Sequence, residues 1–212
     1  YTMDPYIKIE NLSKKIKGTA VLDNINMEFF KGNVYGIRGI NGSGKTMLFR
    51  AICGLINPTE GQITIDKKIL HKDVSFPESI GVLIENPGFL PSYTGRYNLK
   101  LLADIKNIIN YEKIDETLNL VGLDCNDKRK YKQYSLGMKQ KLGIAQALME
   151  DPDLILLDEP TNALDEKSVE NILSIIEKEK AKGKLILIAS HDKLILEQIC
   201  DEIINIENGR II

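Results

Sequence analysis

The sequence contains no apolar run near the ~20 residues that a helix needs to span a bilayer. Residues 1–10 lack the apolar stretch of a secretory signal. Cysteine is scarce: Cys53, Cys125 and Cys200 are odd in number, far apart, and form no C-x-x-C pair. That argues against a disulfide framework or a zinc site and suits reduced thiols in a cytoplasmic protein. An excess of one charge is also missing, since 28 basic and 30 acidic residues leave a formal net charge of −2. With no global basic field, nucleic acid is not expected as a partner. Repeats and low-complexity linkers are absent too. What the chain does have is 43% hydrophobic residues, enough for a sizeable core and against disorder. Its 212 residues suit one large α/β domain, or one domain with an inserted subdomain. Met3 reads as the natural start, with Tyr1 and Thr2 as an addition ahead of it.

The chain is organised around Gly39-Ile40-Asn41-Gly42-Ser43-Gly44-Lys45-Thr46, which fits the phosphate-loop pattern G-x-x-x-x-G-K-[ST]. The run Val34-Tyr35-Gly36-Ile37 before it reads as a strand. After it, Leu48, Ile52 and Leu55 recur at i, i+4 and i+7, as on one face of a helix. In that strand–loop–helix context the glycines let successive N–H groups turn inward as an anion-binding nest, and the helix N-terminus adds partial positive charge. Lys45 is then expected on the β- and γ-phosphates of a nucleoside triphosphate, and the Thr46 hydroxyl on Mg²⁺. A Gly-rich turn with a chance lysine would not come with both flanks.

Around this loop, Ile7-Lys8-Ile9-Glu10, residues 21–30 and Gln62-Ile63-Thr64-Ile65-Asp66 read as strands of an antiparallel layer. Ile80-Gly81-Val82-Leu83-Ile84, Leu154-Ile155-Leu156-Leu157 and Leu185-Ile186-Leu187-Ile188-Ala189 read as buried parallel strands. From Asn86 the pattern turns helical. Leu101, Ile105 and Ile108 share one spacing, and Ile114, Leu118 and Val121 repeat it. Leu142, Ala145 and Leu148 mark a further helix, as do Val169, Ile172, Leu173 and Ile176, with Gly183 as a C-terminal cap. The fold expected is α/β: a P-loop NTPase (RecA-like) core with an antiparallel β layer and an inserted helical subdomain. The core lobe takes 1–85 and 134–212, and the helical subdomain 86–133.

Asp158-Glu159 follows the strand at 154–157. Ligands of such sheets lie beyond the carboxyl ends of strands, so Asp158 is expected beside the metal held by Thr46. Glu159, one residue on, could polarise a water for in-line attack on the γ-phosphate. Tyr134-Ser135-Leu136-Gly137-Met138-Lys139-Gln140 stands just before a helix. Here the chain resembles the ATP-binding-cassette family, whose signature is usually Leu-Ser-Gly-Gly-Gln. Ser135 and Gly137 keep two of its positions, while Tyr134, Leu136 and Met138 depart from it. The resemblance runs over essentially the whole chain. It implies that Ser135 and Gly137 bind the γ-phosphate held by another subunit. It makes Asn162-Ala163-Leu164-Asp165 the loop that crosses the dimer interface and His191 the switch histidine at the γ-phosphate. The ligands implied are ATP and Mg²⁺.

The resemblance further implies a homodimer or heterodimer of ATPase subunits driving a separate transmembrane permease, cytoplasmic and peripheral on the inner face of the cell membrane. Phe89, Leu90, Tyr93 and Tyr97 are candidates for the permease-facing surface, unless they pack the insertion's own core. The form of residues 134–140, with Ile84-Glu85-x-Pro87-x-Phe89, is most similar to ATPase subunits of antibiotic or bacteriocin export and self-protection. A soluble cassette ATPase working on ribosomes, DNA or cluster assembly is the alternative. A second cassette, coiled-coil insertion or basic arm would favour it, and none is seen. A P-loop kinase or GTPase fits less well, since no Asn-Lys-x-Asp motif occurs.

Two positions depart from the family. Ile16 stands where an aromatic residue usually stacks on adenine, so only apolar contact and weak discrimination between ATP and GTP are expected. Glu85 replaces a glutamine that offers a neutral oxygen to Mg²⁺ or the attacking water. A second negative charge beside a polyphosphate is tolerable only with the metal in place. Glu85 should therefore still sense Mg²⁺ and make closure more metal-dependent. Glu85→Gln is expected to flatten the Mg²⁺ dependence of ATP hydrolysis, and an unchanged Mg²⁺ titration would refute this.

Overall fold

The computed structural model of the chain describes residues 4–212, so Met3 as a start lies outside the described residues. The longest uninterrupted apolar runs become the centre of the fold. Leu154–Asp158 (β7) and Leu185–Ser190 (β8) are buried throughout. With Val34–Arg38 (β3), Ile80–Leu83 (β6), Glu202–Glu207 (β9) and Arg210–Ile211 (β10), they form a six-stranded sheet ordered β10-β9-β3-β8-β7-β6. Only the β9–β10 pair in it is antiparallel. Alternate residues serve opposite faces, as strand geometry requires. Leu154, Leu156, Leu185 and Leu187 enter one core, and Ile155, Leu157, Ile186 and Ile188 the other.

The first core is roofed by a four-stranded antiparallel sheet ordered β2-β1-β4-β5, from Ile7–Ile16 (β1), Thr19–Phe29 (β2), Glu60–Ile65 (β4) and Lys68–Ile69 (β5). Helix Lys45–Ile52 (α1) lies in this core through Leu48, Phe49 and Ile52. The second core is covered by Leu136–Leu148 (α4), Glu166–Ala181 (α5) and Lys193–Ile199 (α6). Between β6 and α4 lie Gly95–Lys106 (α2), Tyr111–Leu120 (α3) and a 3₁₀ turn at Tyr131–Gln133. Leu99, Ile114 and Leu118 of this segment are continuous with Leu142 and Ile144 of α4. The helical segment thus shares its interior with the sheet. The β1, β2 and β4 strands and the parallel core agree with the reading of the sequence, which did not mark β5, α6, β9 or β10.

Three details differ. Helix α1 ends at Ile52, and Leu55 is 59% exposed. Gly54, at φ +78°, turns the chain, with Gly54 N–H donating to Ala51 O and Leu55 N–H to Arg50 O. This paired capping leaves no further turn for Leu55 to join. On α2, Leu101 and Ile105 face outward, Ile105 at 79% exposure, and Ile108 lies beyond the Asn107 cap (φ +53°). The buried face is Asn98, Leu99 and Ala103. Asn98 is fully engaged: Oδ1 accepts from Leu90 N–H at 2.7 Å, and Nδ2 donates to Leu90 O at 3.1 Å and Thr94 O at 3.0 Å. A polar residue satisfied this way is stable inside, and the apolar stripe is left outside. Phe89, a candidate surface residue, is buried edge-on against Tyr131, with ring centroids 5.2 Å apart. Leu90, Tyr93 and Tyr97 are exposed.

Among the described residues, no helix is long and apolar enough to cross a membrane. The three cysteines are free, and burial pushes the Cys53 and Cys200 thiols up to about 12. Neither offers a thiolate at neutral pH.

The burial on α2 sets a ranking of substitutions. Leu99→Ala is expected to cost ~2–5 kcal/mol in urea denaturation, while Ile105→Asp stays within ~0.5 kcal/mol of the parent. The opposite order would mean that α2 packs by its other face.

Candidate active site

Loop 39–44 leaves β3 at Arg38 and enters α1 at Lys45. Gly42 (φ +81°) and Gly44 (φ +113°) make the left-handed turns that side chains resist. Among the described residues, the backbone N–H groups of Asn41, Gly42, Gly44, Lys45, Thr46 and Met47 find no acceptor. All six residues line one cleft of about 530 Å³. This is an anion-binding nest continued by a helix N-terminus. Lys45 is only 6% exposed; its Nζ donates to Gly39 O at 2.7 Å and Ile40 O at 3.1 Å, and lies 3.9 Å from Glu159 Oε1. The Ser43 hydroxyl is buried without a partner among the described residues.

The opposite wall comes from the carboxyl ends of β7 and β8. Asp158 closes β7, and its Oδ2 accepts from Thr46 Oγ1 at 2.7 Å. Burial, then the neighbouring Glu159 charge, raise the Asp158 carboxyl above its ordinary range, against the Thr46 hydrogen bond, which lowers it. Glu159 stands at φ +49° and donates its N–H to Ala189 O. Its Oε2 accepts from Ser190 Oγ at 3.0 Å, and its Oε1 accepts from His191 N–H at 3.1 Å and faces His191 Nδ1 at 2.9 Å. Its backbone oxygen accepts from Gln140 Nε2 at 2.9 Å. Reading the sequence missed Ser190 and Gln140 as supports of Glu159. A strand-end serine beside His191 was a usable signal, whereas a helical glutamine carries none.

Lys45, Thr46, Asp158, Glu159 and His191 are therefore brought together. Ser135 and Gly137 do not line the cleft. Ser135 caps α4, its Oγ accepting from Met138 N–H at 3.1 Å. A methyl on Gly137 would lie 2.9 Å from Ala163 O, so the start of α4 abuts the loop at 162–165. Glu85 pairs with Arg50 at 2.8 Å and lines a neighbouring hollow rather than the cleft. Its charge still adds to the raised Asp158 value. Ile16, opposite Thr19 in the β1–β2 pair, stops just short of the cleft, whose wall there is Thr19, Ala20 and Val21. The wall is completed by Asn208 and Gly209, to which the sequence reading gave no role.

The residues fit a phosphate group, with unpaired amides and a buried cation facing one cleft. They also fit a hard divalent cation. Among the described residues no three His, Cys, Asp or Glu side chains converge as a metal cage, and Mg²⁺ characteristically takes one or two carboxylates plus phosphate oxygens. Fold and cleft together define a P-loop nucleoside triphosphatase.

Comparison with known proteins narrows this class. The family model described as ABC transporter matches residues 22–162. The uncharacterized ABC transporter ATP-binding protein YybJ of Bacillus subtilis (strain 168) is 51% identical over 205 residues, 97% of this chain and 94% of that protein. The bacitracin transport ATP-binding protein BcrA of Enterococcus faecalis is 37% identical, over 99% of this chain and 69% of its own. The dimeric post-hydrolysis structure of the ATP-binding cassette MJ0796 bound to ADP and Pi superposes with a TM-score of 0.87 at 26% identity, covering 97% of this chain and 96% of that one. The chain belongs to the ABC transporter family. It is an ATP-binding subunit, an ATPase.

The raised Asp158 carboxyl has a consequence for stability. A group whose value is higher folded than unfolded contributes stability fully below its unfolded value, near 3.8, and loses it as pH rises through the folded value. At neutral pH the buried charge is thus a cost. Asp158→Asn should raise Tm by a few degrees at pH 7 while abolishing ATP hydrolysis. The gain should vanish in scans below pH 4; a lowered Tm at pH 7 would contradict the assignment.

Proposed function

We propose that this chain is the motor of a membrane transporter, a head-to-tail dimer of cassettes closing over two Mg·ATP to drive a separate transmembrane permease. One observation carries the reading: Lys45, Thr46, Asp158 and Glu159 share a cleft, with His191 held against Glu159 from the neighbouring hollow, while Ser135 and Gly137, at the start of α4, lie outside it. A γ-phosphate in the cleft has no signature residue from its own chain. A second cassette, the same or related, supplies one across the dimer.

In this reading Gly39 to Thr46 cradle the phosphates and Lys45 spans the β- and γ-groups. Thr46 and Asp158 hold Mg²⁺, with Glu85 sensing it from the edge. When bound, the metal neutralises charge on the β- and γ-phosphate oxygens. Glu159 orients the attacking water and takes up its proton, with Ser190 and the Gln140 contact holding it in place. His191 contacts the γ-phosphate. Residues 86–133 act as the helical subdomain and the rest as the core lobe. The exposed Leu90, Tyr93, Leu101 and Ile105, of which Leu90 and Leu101 line a hollow sharing Pro87 and Gln146 with the Glu85 one, suit a permease helix, which would keep the chain peripheral on the inner face of the membrane. The likeness to a bacitracin transport protein favours an antibiotic, peptide or lipid-like cargo moving outward.

Glu159→Gln tests the reading. Removing the base should lower kcat by ~10²–10⁴-fold and leave an ATP-bound dimer on size exclusion with excess Mg·ATP. A monomeric elution under those conditions would count against it. A tagged chain drawn from native membranes in mild detergent should bring a multi-span protein with it.

A further inference from the structure

The β9–β10 hairpin reaches the nucleotide cleft with its turn, which bonds the phosphate loop through backbone. Its turn, Asn208 (φ +49°) and Gly209 (φ +76°), lies in the left-handed region. Gly209 N–H donates to Ser43 O at 2.8 Å, a hydrogen bond joining the turn to the middle of the phosphate loop, and Asp23 N–H donates to Gly209 O at 2.9 Å. Arg210 clips the hairpin down, its Nη2 2.5 Å and Nε 2.8 Å from Asp23 Oδ2. The fit is close. A methyl on Gly209 would stand 2.5 Å from Val21 O, and one on Gly44 would stand 3.3 Å from Gly209 Cα. Farther up the hairpin, Ile206 O lies 2.5 Å from where a methyl on Gly39 would be.

The Ser43 contact has a directional effect. In a trans peptide the C=O of one residue and the N–H of the next point to opposite sides. Holding Ser43 O toward the hairpin turns the Gly44 N–H the other way; Gly44 lines the cleft, and its amide has no acceptor among the described residues. Glycine at 44 has little intrinsic preference, so an outside restraint is needed to keep the amide aimed.

We propose that the Asn208–Gly209 turn is a positioning element for phosphate binding, fixing the Gly44 amide and so the shape of the nest for the β- and γ-phosphates. This rests on the nucleotide reading of the cleft and adds to it a part of the chain about 165 residues further on, joined through a hydrogen bond. Because the amide is aimed before nucleotide arrives, it acts on bound substrate and transition state alike. Its loss belongs in KM and Kd more than in kcat.

The test compares ATP affinity by calorimetry, steady-state kinetics and the Tm of the nucleotide-free chain for three variants. Gly209→Ala, strained at φ +76° and clashing with Val21 O, is expected to weaken ATP binding and raise KM by roughly 10- to 100-fold, the scale of one hydrogen bond to a charged group. Its kcat should move less than about threefold. Arg210→Ala keeps the turn and loosens the clip, so KM rises by about two- to threefold, the pair being exposed. Asp23→Arg with Arg210→Asp should restore it. A folded Gly209→Ala with unchanged Kd and KM overturns the proposal. So does an Arg210→Ala that lowers Tm alone, which decides the matter if Gly209→Ala does not fold. Lys45→Ala run alongside separates the two levels: if the parent's ATP affinity does not depend on Lys45, the nucleotide reading itself falls.

Discussion

The site depends on one geometric constraint, a parallel strand order that sets the carboxyl ends of β3, β8 and β7 side by side. The cradle follows the first, His191 the second, and Asp158 with Glu159 the third. No two of these are neighbours in sequence. The pairings Arg38 with Ser190 and Asp158 with Ala189 hold them at one level. Buried on both faces, the strands cannot slip register without sending every side chain to the wrong core.

Within that frame the charges limit one another. Lys45, almost without solvent, faces the Glu159 carboxylate, and Asp158 sits behind on the same wall. Two carboxylates against one ammonium leave an excess of negative charge in a cleft built for a polyanion. Like charges so close are tolerated only where a cation comes with the substrate. The arrangement fits the proposed reading, in which the nucleotide brings a cation with it. It also explains why Glu159 is held from several sides, by Ser190, His191 and Gln140. Its backbone is in a region that costs free energy, and such a conformation persists only when its surroundings over-determine it.

Much of this was legible in the residues, for reasons that differ by element. The cradle, β7 and β8 are local patterns: glycines where the turn needs them, and apolar runs long enough for a buried strand. The face of α2 was not legible, because a stripe at helical spacing names a face without saying what covers it. Asn98 decided the matter through three hydrogen bonds to Leu90 and Thr94 that no periodicity reports. Leu55 was misplaced for a different reason, since Gly54 ended α1 a turn early. Asn208-Gly209 was given no role, because its contact with Ser43 exists only once β9 has paired with β3. Distance along the chain hides such contacts, while spacing within a motif does not.

The amides of residues 41, 42 and 44–47, without acceptors among the described residues, also bear on how the protein survives heat. Donors without protein acceptors in an open cleft are satisfied by water until an anion replaces it with charge-assisted hydrogen bonds. Any ligand that binds the folded chain alone adds RT ln(1 + [L]/Kd) to its stability, ~2.7 kcal/mol at a hundredfold excess over Kd. For a domain this long that corresponds to several degrees of melting temperature. The lifetime of the folded protein is then tied to the nucleotide level around it, and a starved cell would lose this ATPase sooner than a fed one.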